Sequence, residues 1–257
     1  MDKQSLVSSK NWKQYFAEFF MLFAAVTLGF FAENLREYQE EKNREIQFLQ
    51  NIHFDLLRDL KEARTAIDFN IQKQKVGDSV VAELASGDYI SNPSNMYFYL
   101  KGLQLRKMFE HSSSGFEQLK NAGGLRLIED KSIIQQILLI ENRIAVVSRL
   151  QLSMDENNFD YRQKLSRITD AQTVHFMNKN QILAITADHQ KSLSRFPRPE
   201  KPRPLLIDSY KDINEVVNLA INSINTTRYI NVHLDSLIGQ MNKLDKEIVD
   251  KYMSKID

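Results

Sequence analysis

The stretch from Tyr15 to Ala32 reads YFAEFFMLFAAVTLGFFA and holds one charged residue, Glu18. No other part of the chain limits the fold so strongly. Coiled as an α-helix, these residues span about 27 Å, close to the roughly 30 Å hydrocarbon core of a bilayer. Trp12 and Tyr15 sit where amphipathic rings favour the interface. A core helix would show a polar stripe, and none runs through Phe19 to Phe31. A signal peptide needs small residues before its cut; cleavage after Ala32 would place Phe30 at the −3 position, and cleavage after Gly29 would place Thr27 there. The run also passes without a break into a helical pattern. The expectation is one uncleaved membrane-spanning helix, with the lipid bilayer as its first partner.

Charge counting leaves the orientation open. Lys3, Lys10 and Lys13 precede the span, and Arg36, Lys42 and Arg44 follow it. Glu18 lies about one turn inside. It reads as a carboxylate at headgroup depth that reaches water, with a buried cation- or proton-binding carboxylate as the sharper alternative.

Helix breakers divide the rest. Neither Gly nor Pro occurs from Phe30 to Val76, from Leu125 to Phe196, or from Leu205 to Ile238, so long helices are expected. In the first gap Leu49, His53, Leu56, Leu60, Ala63, Ile67 and Ile71 recur at three or four residues, one helical face. This predicts a stalk ending near Gly77. A short helix over Val80 to Ala85 closed by Gly87, a helical Met96 to Phe109, and a capping box at Ser114 and Glu117 follow. Asp130 caps a long helix that the polar segment Asp155 to Asp160 could bend or end. FPRPEKPRP, starting at Phe196, is a linker with polyproline character. Ile230, Leu234, Leu237, Met241, Leu244, Ile248 and Tyr252 form a coiled-coil or bundle seam. The predicted order is an N-terminal arm (1–14), a transmembrane helix (15–32), a stalk helix (33–76), a helical bundle (77–196), a Pro-rich linker (197–204) and a C-terminal helical segment (205–257). The fold class is all-α, an elongated antiparallel bundle on a membrane anchor.

Chemistry is sparse. With 34 basic and 33 acidic side chains the chain has no field for holding a polyanion, and nucleic acid is not an expected partner. No cysteine means no disulfide, thiolate metal site or cysteine nucleophile. HExxH, GxSxG and GxxxxGK[ST] are absent from the sequence. His53, His111, His175, His189 and His233 are dispersed, each read as a surface or half-buried residue. Asp55 and Asp59 share a helix face, as do Glu33, Glu37, Glu41 and Glu45; both sets read as solvated faces. Tyr97, Phe98 and Tyr99 read as core before ligand pocket. No catalytic residue, metal site, cofactor or small-molecule substrate is expected.

Two motifs carry a resemblance. Tyr15-Phe-Ala-Glu18, the apolar run, Gly29 and Asn34 resemble the N-terminal anchor of a bacterial family of single-pass inner-membrane proteins with a domain of unknown function. Phe116-x-x-Leu119-x-x-x-Gly123-x-Leu125-x-x-Ile128 is similar to that family's signature after the stalk. Ala17 stands where the family usually has Gly, and Leu35 where it has Trp. The resemblance covers roughly residues 11 to 150. It implies a cytoplasmic N-terminus and a periplasmic helical domain, and it brings no activity. Independently, Gly123 and Gly124 let a short helix end and the chain reverse, a turn expected to pack on the stalk and organise the bundle. The expected function is a non-enzymatic, membrane-anchored scaffold or accessory subunit of an envelope complex, held by a protein partner or by self-association. A periplasmic sensory or ligand-binding bundle is the alternative, and an oligomeric ion-conducting assembly using Glu18 the last.

Overall fold

The computed structural model describes residues 12–121, 123–185 and 198–253. The arm up to residue 11, with Lys3 and Lys10, lies outside the described residues, as do His189, Phe196, the first linker proline at 197, and the chain end from 254. The described structure is all-helical, with one long apolar helix at its N-terminal end.

Helix α1 runs from Trp12 to Ser86, 75 residues without interruption, a rod of about 112 Å. It does not stop at Gly77, and the segment Val80 to Ala85 is its last turns rather than a separate helix. Gly77 serves packing instead: a Cβ there would stand 2.6 Å from Ile224 Cγ1. The true stop is Gly87, whose φ of 81° only glycine takes easily.

Helix α2 spans Pro93–Leu103, with Asn92 as its cap and proline at its start. It ends earlier than the expected Phe109; residues 105–113 form an irregular passage back along α1. Helix α3 (Ser114–Asn121) and a 3-10 turn (Gly124–Arg126) follow. Helix α4 runs from Lys131 to Ile168, capped by Asp130, and the polar segment Asp155 to Asp160 does not end it. After the break at Thr169, helix α5 covers Ala171–Ile185. Residues 198–209 are non-helical, tied down where Leu206 N donates to Ile168 O at 2.8 Å and Ser94 Oγ donates to Pro199 O at 2.7 Å. Helix α6 (Tyr210–Ile248) and a π-helical turn (Val249–Met253) complete the described chain.

The packing follows from spacing. Buried positions recur every three or four residues: Ile133, Ile137, Ile140, Ile144 and Val147 on α4, and Ile230, Leu234, Leu237, Met241, Leu244 and Ile248 on α6. A seam of that period keeps one stripe facing a neighbouring helix. His53 meets Asp245, Asn70 meets Asn231, and Gly77 meets Ile224. These pairs show α1 and α6 running in opposite directions. Arg143 beside His233 and Lys164 beside Asp212 show the same for α4 and α6.

Two apolar clusters result. The larger joins Leu49 to Ala66 of α1 with Ile133 to Met154 of α4 and Ile230 to Ile248 of α6. The smaller joins Val80 and Leu84 with α2, the end of α4 and the start of α6. Each fully buried aliphatic side chain contributes about 1.5–3 kcal/mol.

Candidate functional site

Three features combine position and chemistry: the outer end of α1, the buried carboxylates on its inner part, and a polar layer between the two apolar clusters.

The outer end is apolar and uncovered. None of the most apolar 18-residue window of α1 is buried within the protein, and the helix is long and apolar enough to cross a membrane. Trp12, Phe16, Phe19, Phe20, Phe23, Phe30 and Phe31 all face outward. Soluble proteins rarely expose an apolar surface of this extent without a partner for it. Glu18 lies in this stretch and is half-buried on the helix surface. Beyond it, Arg36 pairs with Glu33 at 2.5 Å and with Glu40 at 2.7 Å, all exposed, and this guanidinium holds Glu33 below its usual carboxylate range. Glu37 and Glu41 are exposed as well.

Glu45, Asp55 and Asp59 depart from the solvated faces expected of them: they are 0%, 2% and 0% exposed. The physical reason is backbone satisfaction. The passage between α2 and α3 has no helix of its own to occupy its N–H groups, and buried N–H groups need acceptors. Asp55 accepts from Gly115 N at 2.6 Å and from Ser114 Oγ at 3.2 Å, so a residue of α1 caps α3. Asp59 accepts from Ser112 N at 2.8 Å and lies 2.5 Å from His111 Nδ1. Glu45 accepts from Glu129 N at 2.9 Å, from Lys42 Nζ at 2.9 Å and from the Tyr252 hydroxyl at 3.0 Å. Burial and this carboxylate push the Tyr252 hydroxyl up to about 12. The three acids bind the irregular passage, the start of α4 and the C-terminal turn to one helix.

Gly123 and Gly124 lie beside this region. Gly123 has φ 64°, a left-handed position that favours glycine. A Cβ on Gly124 would stand 2.9 Å from both Leu119 Cδ1 and Phe48 Cε2 of α1. Phe116, Leu119 and Ile128 are buried in the larger cluster, and Leu125 packs against it.

The polar layer is the feature that sequence reasoning missed. Asn70 and Lys73 of α1, Gln151 and Asn158 of α4, and Ser223 and Thr227 of α6 are all buried. They occupy core positions between the two clusters. Asn70 Nδ2 donates to Asn231 Oδ1 at 2.7 Å, Asn158 Nδ2 to Gln104 O at 2.8 Å, and Gln151 Nε2 to Phe109 O at 3.2 Å. Lys73 is 1% exposed, and its ammonium has no hydrogen-bond partner. Burial, reinforced by the charge of Arg106 and opposed by Asp155, pushes it down to about 8. Arg106 and Asp155 pair with each other. The signal lay in the register: continuing the three-four pattern from Ala63 gives Ala66, Asn70, Lys73 and Gly77, whereas the apolar Ile71 is exposed.

The four described histidines stay apart. His53 Nδ1 lies 2.6 Å from Asp245, His111 is held by Asp59, His233 receives Arg143 at 3.1 Å, and His175 is exposed. Among the described residues no group of three or more His, Cys, Asp or Glu side chains could hold a metal ion. Tyr97 is buried, while Phe98 and Tyr99 are half-buried and Phe98 takes the Arg198 guanidinium 4.4 Å from its ring centre. Neither a family model, nor a curated protein, nor a solved structure matches the chain.

Proposed function

We propose that the chain is a membrane-anchored, non-enzymatic helical scaffold or accessory subunit of an envelope complex. The observation that carries this reading is the uncovered apolar end of α1, continuous with the helix that forms the bundle's wall. A bilayer removes that surface from water, and the backbone is already satisfied inside the helix, as hydrocarbon requires. The bundle beyond it is held by side chains spent on structure. Buried carboxylates cap and pin, and the described histidines pair with neighbouring side chains or face solvent. That distribution supports a part that positions others. The family resemblance is the ground for an inner-membrane location with the N-terminus in the cytoplasm and the bundle in the periplasm.

Alkaline carbonate extraction of membranes tests the anchor. The full-length chain is expected to stay with the membrane pellet; its release uncut into the supernatant would end this reading. Sidedness is tested in the cysteine-free chain by single cysteines at Ser5 and at Ser194. An impermeant thiol reagent on intact cells is expected to label only the second, and labelling of only the first would reverse the orientation. Purification in mild detergent tests the scaffold role: a monomer with no co-purifying protein would count against it. A second reading, a ligand-binding bundle, is favoured by a cavity at the far end of the molecule.

A further inference from the structure

At the end of the bundle remote from Trp12, α2, α4 and α5 line a half-open cavity of about 180 Å³. Its buried lining is Tyr97, Leu100, Leu165 and Met177, with the half-buried Val174 beside them. Two cations also line it: Lys101, half-buried, and Arg162, exposed. Given about 30 Å³ per water in the liquid, the space equals some six waters, or one small organic molecule.

The polar groups are not equally available. The Tyr97 hydroxyl accepts from Asp170 N at 2.7 Å, Ser166 Oγ donates to Gln163 O at 2.7 Å, and Thr169 Oγ1 donates to Leu165 O at 2.6 Å. The nearby acid is committed too: Asp170 Oδ1 accepts from Thr173 N and Oγ1, both at 2.9 Å, and its second oxygen faces Arg203 at 3.5 Å. Lys101 has only a long contact of 3.4 Å to Gln104 Oε1. Among the described residues no carboxylate pairs with Lys101 or Arg162. The two cations therefore bring like charge to one cavity, and the charge of Arg162 disfavours the Lys101 ammonium, a cost that a bound anion would offset.

We propose that this cavity binds a small amphipathic carboxylate, with its carboxylate between Arg162 and Lys101 and its apolar body against Leu100, Leu165, Val174 and Met177. The arginine fork matches a carboxylate bidentately, and the lysine adds a point charge. The apolar lining selects against inorganic anions, which would leave it wet or empty. Burial and Arg162 hold the Lys101 ammonium below its ordinary value, a strain a bound anion relieves. This inference deepens the ligand-binding reading. It stands apart from membrane insertion, because the cavity belongs to the bundle alone.

The test is titration calorimetry on the full-length chain in mild detergent, with sodium benzoate and sodium hexanoate as probes. Inorganic phosphate and hexylammonium are the controls. Both acids are expected to bind saturably with Kd near or below ~1 mM, given the size of the site. Arg162→Gln and Lys101→Met are each expected to weaken them by about tenfold or more. Arg162 is exposed, so its replacement leaves folding intact, which a melting curve checks. Val174→Phe, which fills the cavity, is expected to abolish binding. The proposal is overturned by an absence of saturable heat for both acids up to ~10 mM, ten times the expected Kd. It is equally overturned if phosphate or hexylammonium binds as well as the acids, or if both charge variants leave affinity unchanged. Carbonate extraction reads the anchor separately, so the two readings fail independently.

Discussion

From Trp12 to Glu41, α1 carries the most apolar sequence of the protein and leaves it uncovered; only Glu18 and Ala24 fall short of full exposure. From Glu45 to Leu84 the same helix buries Glu45, Asp55, Asp59, Asn70 and Lys73. The usual link between polarity and burial thus loosens along one rod: apolar side chains stand uncovered in the outer part, and polar ones are enclosed among Leu49, Leu56 and Leu60 in the inner part. What a side chain meets is decided by what stands opposite it. The inner half faces α6, α3 and the irregular passage, so every third or fourth residue is enclosed whatever its chemistry. Polar ones survive there if neighbours complete their hydrogen bonds. Along the outer part no other described helix covers the apolar side chains, and that part is long and apolar enough to cross a membrane.

Substitutions in the two halves should therefore act on different readouts. The largest effect is expected from Phe23→Asp combined with Val26→Arg in the outer half. Each charge near the middle of a span costs about 2.5–3.5 kcal/mol, so carbonate-resistant association should be lost while the bundle's melting transition stays in place. A shifted transition would show that the outer half also supports the bundle.

Next comes Asp55→Ala. It leaves Gly115 N and Ser114 Oγ without their acceptor inside the protein, at a cost of about 3 kcal/mol. Thermal melting should fall by several degrees with membrane association unchanged; an unaltered melting temperature would mean that α3 caps itself.

Lys73→Met should act in the opposite direction. The folded-state value of Lys73 lies near 8 against an ordinary 10.5, so between those limits the unfolded chain holds the extra proton and stability rises with pH. Below about pH 8 both states are charged, and the full burial cost applies. The wild type should gain up to ~3 kcal/mol between about pH 8 and 10.5. The variant should melt higher at pH 7 and lack that rise. Parallel pH profiles for the two proteins would show that Lys73 finds a partner in solution.

The smallest effect belongs to Arg36→Ala, which breaks two exposed ion pairs. Exposed pairs of this kind are screened by water and salt and contribute little, so melting should hardly move. A larger shift would show that the helix between the two halves is held by its surface charges.

Much of the helical framework was legible, because periodicity is a local signal. The predicted seam is buried at every position from Ile230 to Ile248 and half-buried at its last, Tyr252, in the π-helical turn. Of the stripe that spacing predicts on α1, Leu49, Leu56, Leu60 and Ala63 are buried, His53 and Ile67 are half-buried, and Ile71 is exposed. Following apolar residues led to Ile67 and Ile71, whereas the enclosed positions are Ala66, Asn70 and Lys73. Gly77 shows the same limit. Glycine marks either a helix end or a close approach, and only the presence of Ile224, far along the chain, decides which. Asp55 and Asp59 looked like a solvated ladder because their partners, Ser112, Ser114 and Gly115, are more than fifty residues away. The cavity was harder still. Tyr97 hinted at it, but its lining comes from three helices, and Lys101 and Arg162 are unremarkable in sequence.

The absence of any break in α1 has a mechanical consequence. Ala32 lies ten positions before Lys42, which with Glu45 begins the contacts to Glu129, just ahead of α4. In a helix this fixes a stand-off of about 15 Å. In the proposed setting no hinge lets the folded body lie down on the lipid headgroups. Any lean of the immersed portion swings the far tip through a much longer arc, as a mast magnifies the roll of its deck.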